Sequence, residues 1–278
     1  MPQPLERVTN MIWFKLLRHD LKQGLFRLRY MIVPLIAWLP CISHAALMIA
    51  PCTWMDLMMT VFKGQVITEP IHLPLPILWL FTMTLSLFLS LDYFLDDLSL
   101  TGQQLLVRCS SRRTWFLSKC IWNLGHSLLY FLLIGLGVFL YAVLKGHTLS
   151  MNITGPGLQR LFLLQECPAL SPSNIFVLGI LSPLAALAAI NLLQMTLSLF
   201  IKPILSVLSC LGFLLLSVVI PSPWILGNGA MTMRSRLITP EGFSSATALF
   251  VSFAVILGCF LVGLIYFQRI DLIPSEDL

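Results

Sequence analysis

Charged residues are scarce in this chain: Asp, Glu, Lys and Arg make up 10% of its 278 residues, while 58% are hydrophobic. Charged residues usually form about a quarter of a soluble domain. Soluble enzyme, nucleic-acid binder and disordered protein are therefore excluded as classes. The seven cysteines, Cys41, Cys52, Cys109, Cys120, Cys167, Cys210 and Cys259, form no CxxC pair. Most fall in apolar segments or beside basic ones, which reads as small buried hydrophobes and not as a metal or redox centre. No HExxH, Walker A or GxSxG motif occurs, and His19, His44, His72, His126 and His147 are scattered. No catalytic residue and no metal ligand is assigned. The first apolar run has no small-x-small cleavage pattern, so the first span is expected to stay in the chain. No internal repeat is visible, which weakens a transporter built on inverted repeats. Charges are not stacked across the apolar segments, which argues against a proton-driven pump or a charged ion filter.

Apolar length is what the chain has in abundance. Mean hydropathy is +0.90, and six segments approach the roughly 20 residues a bilayer core requires: about 31–50, 71–91, 121–144, 173–200, 203–220 and 244–267. Lys202 and Pro203 divide the fourth from the fifth, because a charge and a helix breaker interrupt a run too long for one crossing. The expected fold is an all-α polytopic membrane protein, a single transmembrane domain over residues 1–278. The basic residues orient it. With the N-terminus inside, 12 of the 17 Lys and Arg fall in cytoplasmic segments, among them Arg7, Lys15, Arg18, Lys22, Arg108, Arg112, Arg113 and Lys119. Lys63, Lys145, Arg160, Arg234 and Arg236 fall outside. That asymmetry predicts a multi-pass protein with both termini cytoplasmic.

Residues 10–30 form an amphipathic interfacial helix candidate. Trp13, Phe14, Leu17, Leu21, Leu25 and Leu28 recur at spacings of three and four, with the bases mainly on other faces. Such a helix suits a membrane surface or a protein partner. Residues 92–120 are the most distinctive link. Asp92, Asp96 and Asp97 precede LSLTGQQLLVR, and Arg112, Arg113 and Lys119 follow it. A short helix entered at an acidic corner and left at a basic one offers a surface for a partner; an ordinary inner loop is the plainer alternative. Residues 51–70 read as a short connecting loop, Leu158 to Cys167 as a short interfacial helix, and 221–243 as a re-entrant or surface hairpin. At membrane depth, His44 and His126 read as helix-packing hydrogen-bond groups. Ser182, Asn191 and Gln194 read as interhelical glue or as a candidate substrate path.

This pattern resembles the membrane subunit of a type-2 ABC exporter. The likeness rests on the basic amphipathic helix, six spans with both termini inside, and the link containing Gly102, Leu105, Leu106, Arg108, Ser110, Arg112, Arg113, Trp115 and Lys119. The resemblance implies a cytoplasmic coupling helix between the second and third spans and an outer re-entrant hairpin at 221–243. It implies that Asp96, Asp97, Leu98, Gly102, Gln103, Leu105, Leu106, Arg108, Arg112 and Arg113 meet an ABC ATPase subunit. ATP and Mg would belong to that partner, and this chain would hold no cofactor. A second copy or a homologous permease subunit would complete the path for an amphipathic substrate such as a peptide, antibiotic or lipid, in a bacterial plasma membrane among its lipids, with no nucleic-acid partner. The long 145–172 link departs from the family's short outer connection. A non-transporting assembly or immunity protein and an intramembrane enzyme remain the alternatives.

Overall fold

Runs of Leu, Phe and Val with no water to bond their backbone must satisfy it internally, and helices do this within one segment. The computed structural model describes residues 18, 20, 28–44, 52–67, 75–96, 112–164 and 170–267, the side chains of 92–96 and 267 excepted. Their regular structure is helical: α1 Leu28–Ser43, α2 Trp54–Val61, α3 Ile77–Asp96, α4 Arg112–Lys145, α5 Gly155–Phe162, α6 Pro172–Leu197, α7 Pro203–Val219 and α8 Ser245–Phe267. Among the described residues α4, α6 and α8 are long and apolar enough to cross a membrane, while α1, α3 and α7 are shorter apolar helices. The protein is thus an all-α, multi-span membrane protein.

Prolines shape these elements. In α1, Pro34 and Pro40 remove backbone donors, and the helix breaks into pieces that meet at Ala37. In α6, Pro183 cannot donate to the carbonyl four residues back. The helix widens just before it, and the Ser182 N–H reaches the Val177 carbonyl, one residue further than in an α-helix. Lys202 caps α7 with Pro203 in its first turn, so the expected division between the fourth and fifth apolar runs is a break between two helices. α4 begins at Arg112 and not near 121, which puts the basic pair on the helix itself. Its 34 residues would extend roughly 51 Å, well beyond a hydrocarbon core of roughly 30 Å.

Contacts fix the directions of α1, α3, α6 and α8 relative to α4. Tyr30 meets His126 and Trp38 meets Gly137, so α1 runs parallel to α4. Thr82 meets Tyr130 and Ser86 meets His126, so α3 runs opposite. α6 follows α3, because Asn191 bonds Ser86 and Gln194 bonds Ser90. Phe116 lies against Gly263 and Thr196 against Cys259, which sets α8 antiparallel to α4. The start of α1, level with His126, and the end of α8, level with Phe116, therefore both point toward the Arg112 end of α4. α6 is central, with 72% of its apolar window inside the protein against 22% for α8.

Close approach is bought by glycine in α4. A Cβ at Gly137 would strike the Pro34 carbonyl oxygen, so only glycine lets α1 lie backbone to backbone on α4. The bare surface also exposes carbonyls: Trp38 Nε1 donates to Gly137 O at 2.8 Å and Trp54 Nε1 to Gly135 O at 3.1 Å.

The Lys145 end carries a cap of small elements. The expected loop at 51–70 contains α2, which is buried on nearly every side. The predicted helix near 158 is α5, starting earlier at Gly155 and stopped by Leu163 in the left-handed conformation. Residues 221–243 contain two 3-10 turns, Leu226–Ala230 and Thr232–Arg234, the first packed against α6, α7 and α8. The Arg234 carbonyl and Phe243 N–H close the loop at 2.7 Å.

Candidate functional site

α4 positions polar groups at two depths. At its first turns, Arg112 and Arg113 are exposed while Trp115, Ser118 and Lys119 turn inward. Lys119 Nζ lies 2.8 Å from Asp20 Oδ1, and Ser118 Oγ donates to Asp20 Oδ2 at 2.6 Å. The ammonium also sits 5.1 Å from the Trp115 ring centre. Both charged groups are fully buried, where an uncompensated charge would cost several kcal/mol. Asp20 belongs to the predicted interfacial segment 10–30, whose other residues lie outside the described ones except Arg18 and 28–30. This pair joins that segment to α4. Behind it, Trp115, Phe116 and Cys120 of α4 pack with Leu192 and Met195 of α6 and Cys259 of α8.

About one to two turns beyond Lys119 on α4, neutral polar side chains from four helices converge. Tyr30 Oη lies 2.6 Å from His126 Nδ1, and His126 Nε2 is 3.1 Å from the Ser86 carbonyl. Asn191 Nδ2 donates to Ser86 Oγ at 2.8 Å and to Ser127 Oγ at 3.0 Å. Asn123 Nδ2 donates to the Asn191 carbonyl at 3.2 Å, and Ser90 Oγ to Gln194 Oε1 at 2.9 Å. All of these groups are buried. In an apolar surround each bond resists separation, because a parted donor or acceptor finds no water. Asn123 Oδ1, Asn191 Oδ1 and Ser182 Oγ are buried without a hydrogen-bond partner among the described residues. They are the places where this core could take a water or a polar guest group.

Of the sequence-derived site residues, Asn191 and Gln194 lie in this network, and Ser182 lies two to three turns away along α6. Asp96 ends α3, and Arg112 and Arg113 begin α4. Asp97, Leu98, Gly102, Gln103, Leu105, Leu106 and Arg108 lie outside the described residues. Cys41, Cys52, Cys120, Cys210 and Cys259 are buried free thiols, while Cys109 and Cys167 lie outside the described residues. No cluster of three or more His, Cys, Asp or Glu side chains suited to a metal occurs among the described residues. Sequence reasoning missed Thr82, Ser86 and Ser90, yet their spacing of four puts them on one helix face, a signal that was available. It also missed Asp20, a lone acid in a basic helix, for which no local pattern names a partner.

No curated protein and no solved structure matches the chain. A family model does match, over residues 58–273, from the third quarter of α2 to beyond α8. That stretch includes most of the polar core and the α4 start, but neither Tyr30 nor Asp20. This polytopic membrane protein belongs to the family described as "Protein of unknown function (DUF2705)".

Proposed function

We propose that this chain is the membrane permease subunit of an ATP-driven ABC exporter, working in a bacterial plasma membrane with both termini cytoplasmic. Six apolar helices would cross the bilayer, and a second membrane subunit would complete the path for an amphipathic substrate. The chain itself would carry no catalytic group; ATP and Mg would bind to separate ATPase subunits docked on the link between α3 and α4. The observation that carries this reading is the start of α4. A helix longer than a bilayer core begins with exposed Arg112 and Arg113, and within two turns it is tied to the N-terminal segment through Lys119 and Asp20. Push applied at the arginines would reach α6 and α8 through Trp115 and Phe116, because closely packed contacts move as a unit.

The test is extraction from native membranes in mild detergent, followed by mass spectrometry of what stays bound. A stoichiometric ATPase is the expected result. Repeated recovery of a stable chain alone would overturn the reading in favour of a non-transporting membrane protein or an intramembrane enzyme. In the assembled complex, the double reversal R112E/R113E should uncouple ATP hydrolysis from transport or prevent assembly; normal transport by an assembled double variant would remove the arginines from the coupling surface.

A further inference from the structure

At the Lys145 end a cavity of about 630 Å³ opens between the end of α1, the end of α2 and the start of α3. Its size falls within the roughly 300–1,000 Å³ of small-molecule pockets. Pro40, Val61, Val66, Leu78 and Trp79 make its wall mostly apolar, and exposed Leu75 and Ile77 continue that surface outward.

One cation stands in this apolar setting. Lys63 Nζ donates to the Leu161 carbonyl at 2.8 Å and lies 3.3 Å from His44 Nε2 and 5.7 Å from the Phe162 ring centre. These neighbours are neutral acceptors or a ring face, and no carboxylate pairs with Lys63 among the described residues. An ammonium has three donors, so one remains for a guest. His44 Nδ1 lies 2.9 Å from the Pro40 carbonyl; if the proton is placed there, Nε2 is the acceptor that faces Lys63.

The lysine is held in place. Met233 N–H bonds the Lys63 carbonyl at 3.1 Å and Thr232 N–H bonds the Phe62 carbonyl at 2.9 Å. Gly64 follows at φ +65°, with Met231 where a Cβ would be. A side chain there would strain the backbone and strike Met231. Trp79 lines the same cavity, and its buried indole N–H has no acceptor among the described residues. Burial also lowers the Lys63 pKa, because desolvation disfavours the charged form.

We propose that this cavity binds an amphiphile with a single anionic headgroup, its carboxylate or phosphate on Lys63 and its apolar body against Val61, Val66 and Trp79. The site is independent of any ATPase and stands whether or not the chain exports anything.

The probe is radiolabelled dodecanoate, titrated onto the full-length protein in nanodiscs of zwitterionic phosphatidylcholine. Saturable binding of one molecule per chain is expected. Lys63→Gln should weaken it about tenfold or more, the scale of one charge-assisted contact, Lys63→Arg should retain most of it, and Lys145→Gln should leave it unchanged. Val66→Trp fills the cavity without touching the charge and should also abolish binding, which keeps the test decisive if the glutamine variant does not fold. Absence of saturable binding to the unaltered protein, or an affinity in the Lys63→Gln or Val66→Trp protein equal to that of the unaltered one, overturns the proposal. Displacement by inorganic phosphate as effectively as by dodecyl phosphate would overturn the amphiphile and leave a free-anion site.

Discussion

At the Arg112 end of α4 the buried charges are paired, Lys119 with Asp20 at 2.8 Å; at the Lys145 end, among the described residues, they are solvated by neutral dipoles. Arg234 lies buried with its Nε 3.1 Å from the Gln65 carbonyl and its Nη2 2.8 Å from the Val218 carbonyl, and its Nη1 donates to the Ser217 carbonyl and to Asn228 Oδ1. Two of those carbonyls belong to the last turns of α7, where the helix dipole favours a cation. Asp56 is the mirror case. Its carboxylate accepts from Thr53 N at 2.9 Å and Thr154 Oγ1 at 2.6 Å, completing a capping box at the start of α2 and tying it to the segment before α5. In the pair each charge faces an opposite charge, whereas the dipole-solvated charges are held by neutral groups from several elements.

The largest effect should come from breaking the pair. Lys119→Ala removes the ammonium 2.8 Å from the buried Asp20 carboxylate and should destabilise the protein by about 3–5 kcal/mol, read as a fall in the thermal midpoint in detergent. The double variant Asp20→Leu with Lys119→Met should recover most of that loss, since an apolar pair of similar volume removes both desolvation costs. A double variant as unstable as the single one would mean that Asp20 is held by something other than Lys119.

At the other end, Arg234→Met strands several buried acceptors together and should cost about 3 kcal/mol, less than their sum because some carbonyls can turn to each other's donors or to water. Burial pushes this guanidinium down to about 10, so it remains charged at neutral pH. Arg234→Lys should recover only part of the loss, because a single ammonium cannot span the same set of acceptors. Full recovery would show that charge alone matters there.

Gly137→Ala forces a methyl against the Pro34 carbonyl and should cost about 1–3 kcal/mol. The same substitution at Gly212 or Gly258, where nothing lies within 4 Å, should be neutral or slightly stabilising through helix propensity. A Gly137 variant as stable as those two would show that α1 and α4 do not meet at Pro34.

The smallest effect concerns pH. Partial burial, and then Lys145, lower the His147 pKa from its ordinary 6.5. The unfolded chain then binds the proton more readily, so stability contributed by the neutral ring is lost as pH falls through the ordinary value. His147→Gln should flatten the decline in thermal midpoint between about pH 7 and pH 5; an unchanged slope would assign the decline to other groups.

Hydrophobic length and helix breakers were readable directly. The break at Lys202 and Pro203, the burial of Cys41, Cys120 and Cys210, and the role of His126 in helix packing all follow from residue type and local spacing. Other features escaped for a common reason. α2 is eight residues long, too short for a periodicity signal, and its stability comes from burial and a capping box. The start of α4 at Arg112 was hidden because charged residues extend a helix without adding to an apolar run. Lys63 and Arg234, read as topology markers, turn inward because carbonyls from α5 and α7 converge on them.

Composition and the length of apolar runs are additive properties of the chain, and they are enough to make it a helical, multi-span membrane protein. Which polar groups meet depends on helix packing: Asn191 with Ser86 and Ser127, Lys119 with Asp20, Lys63 with Leu161. Those contacts join residues 64 to 105 positions apart, and no local spacing encodes a partner that only helix packing brings within reach.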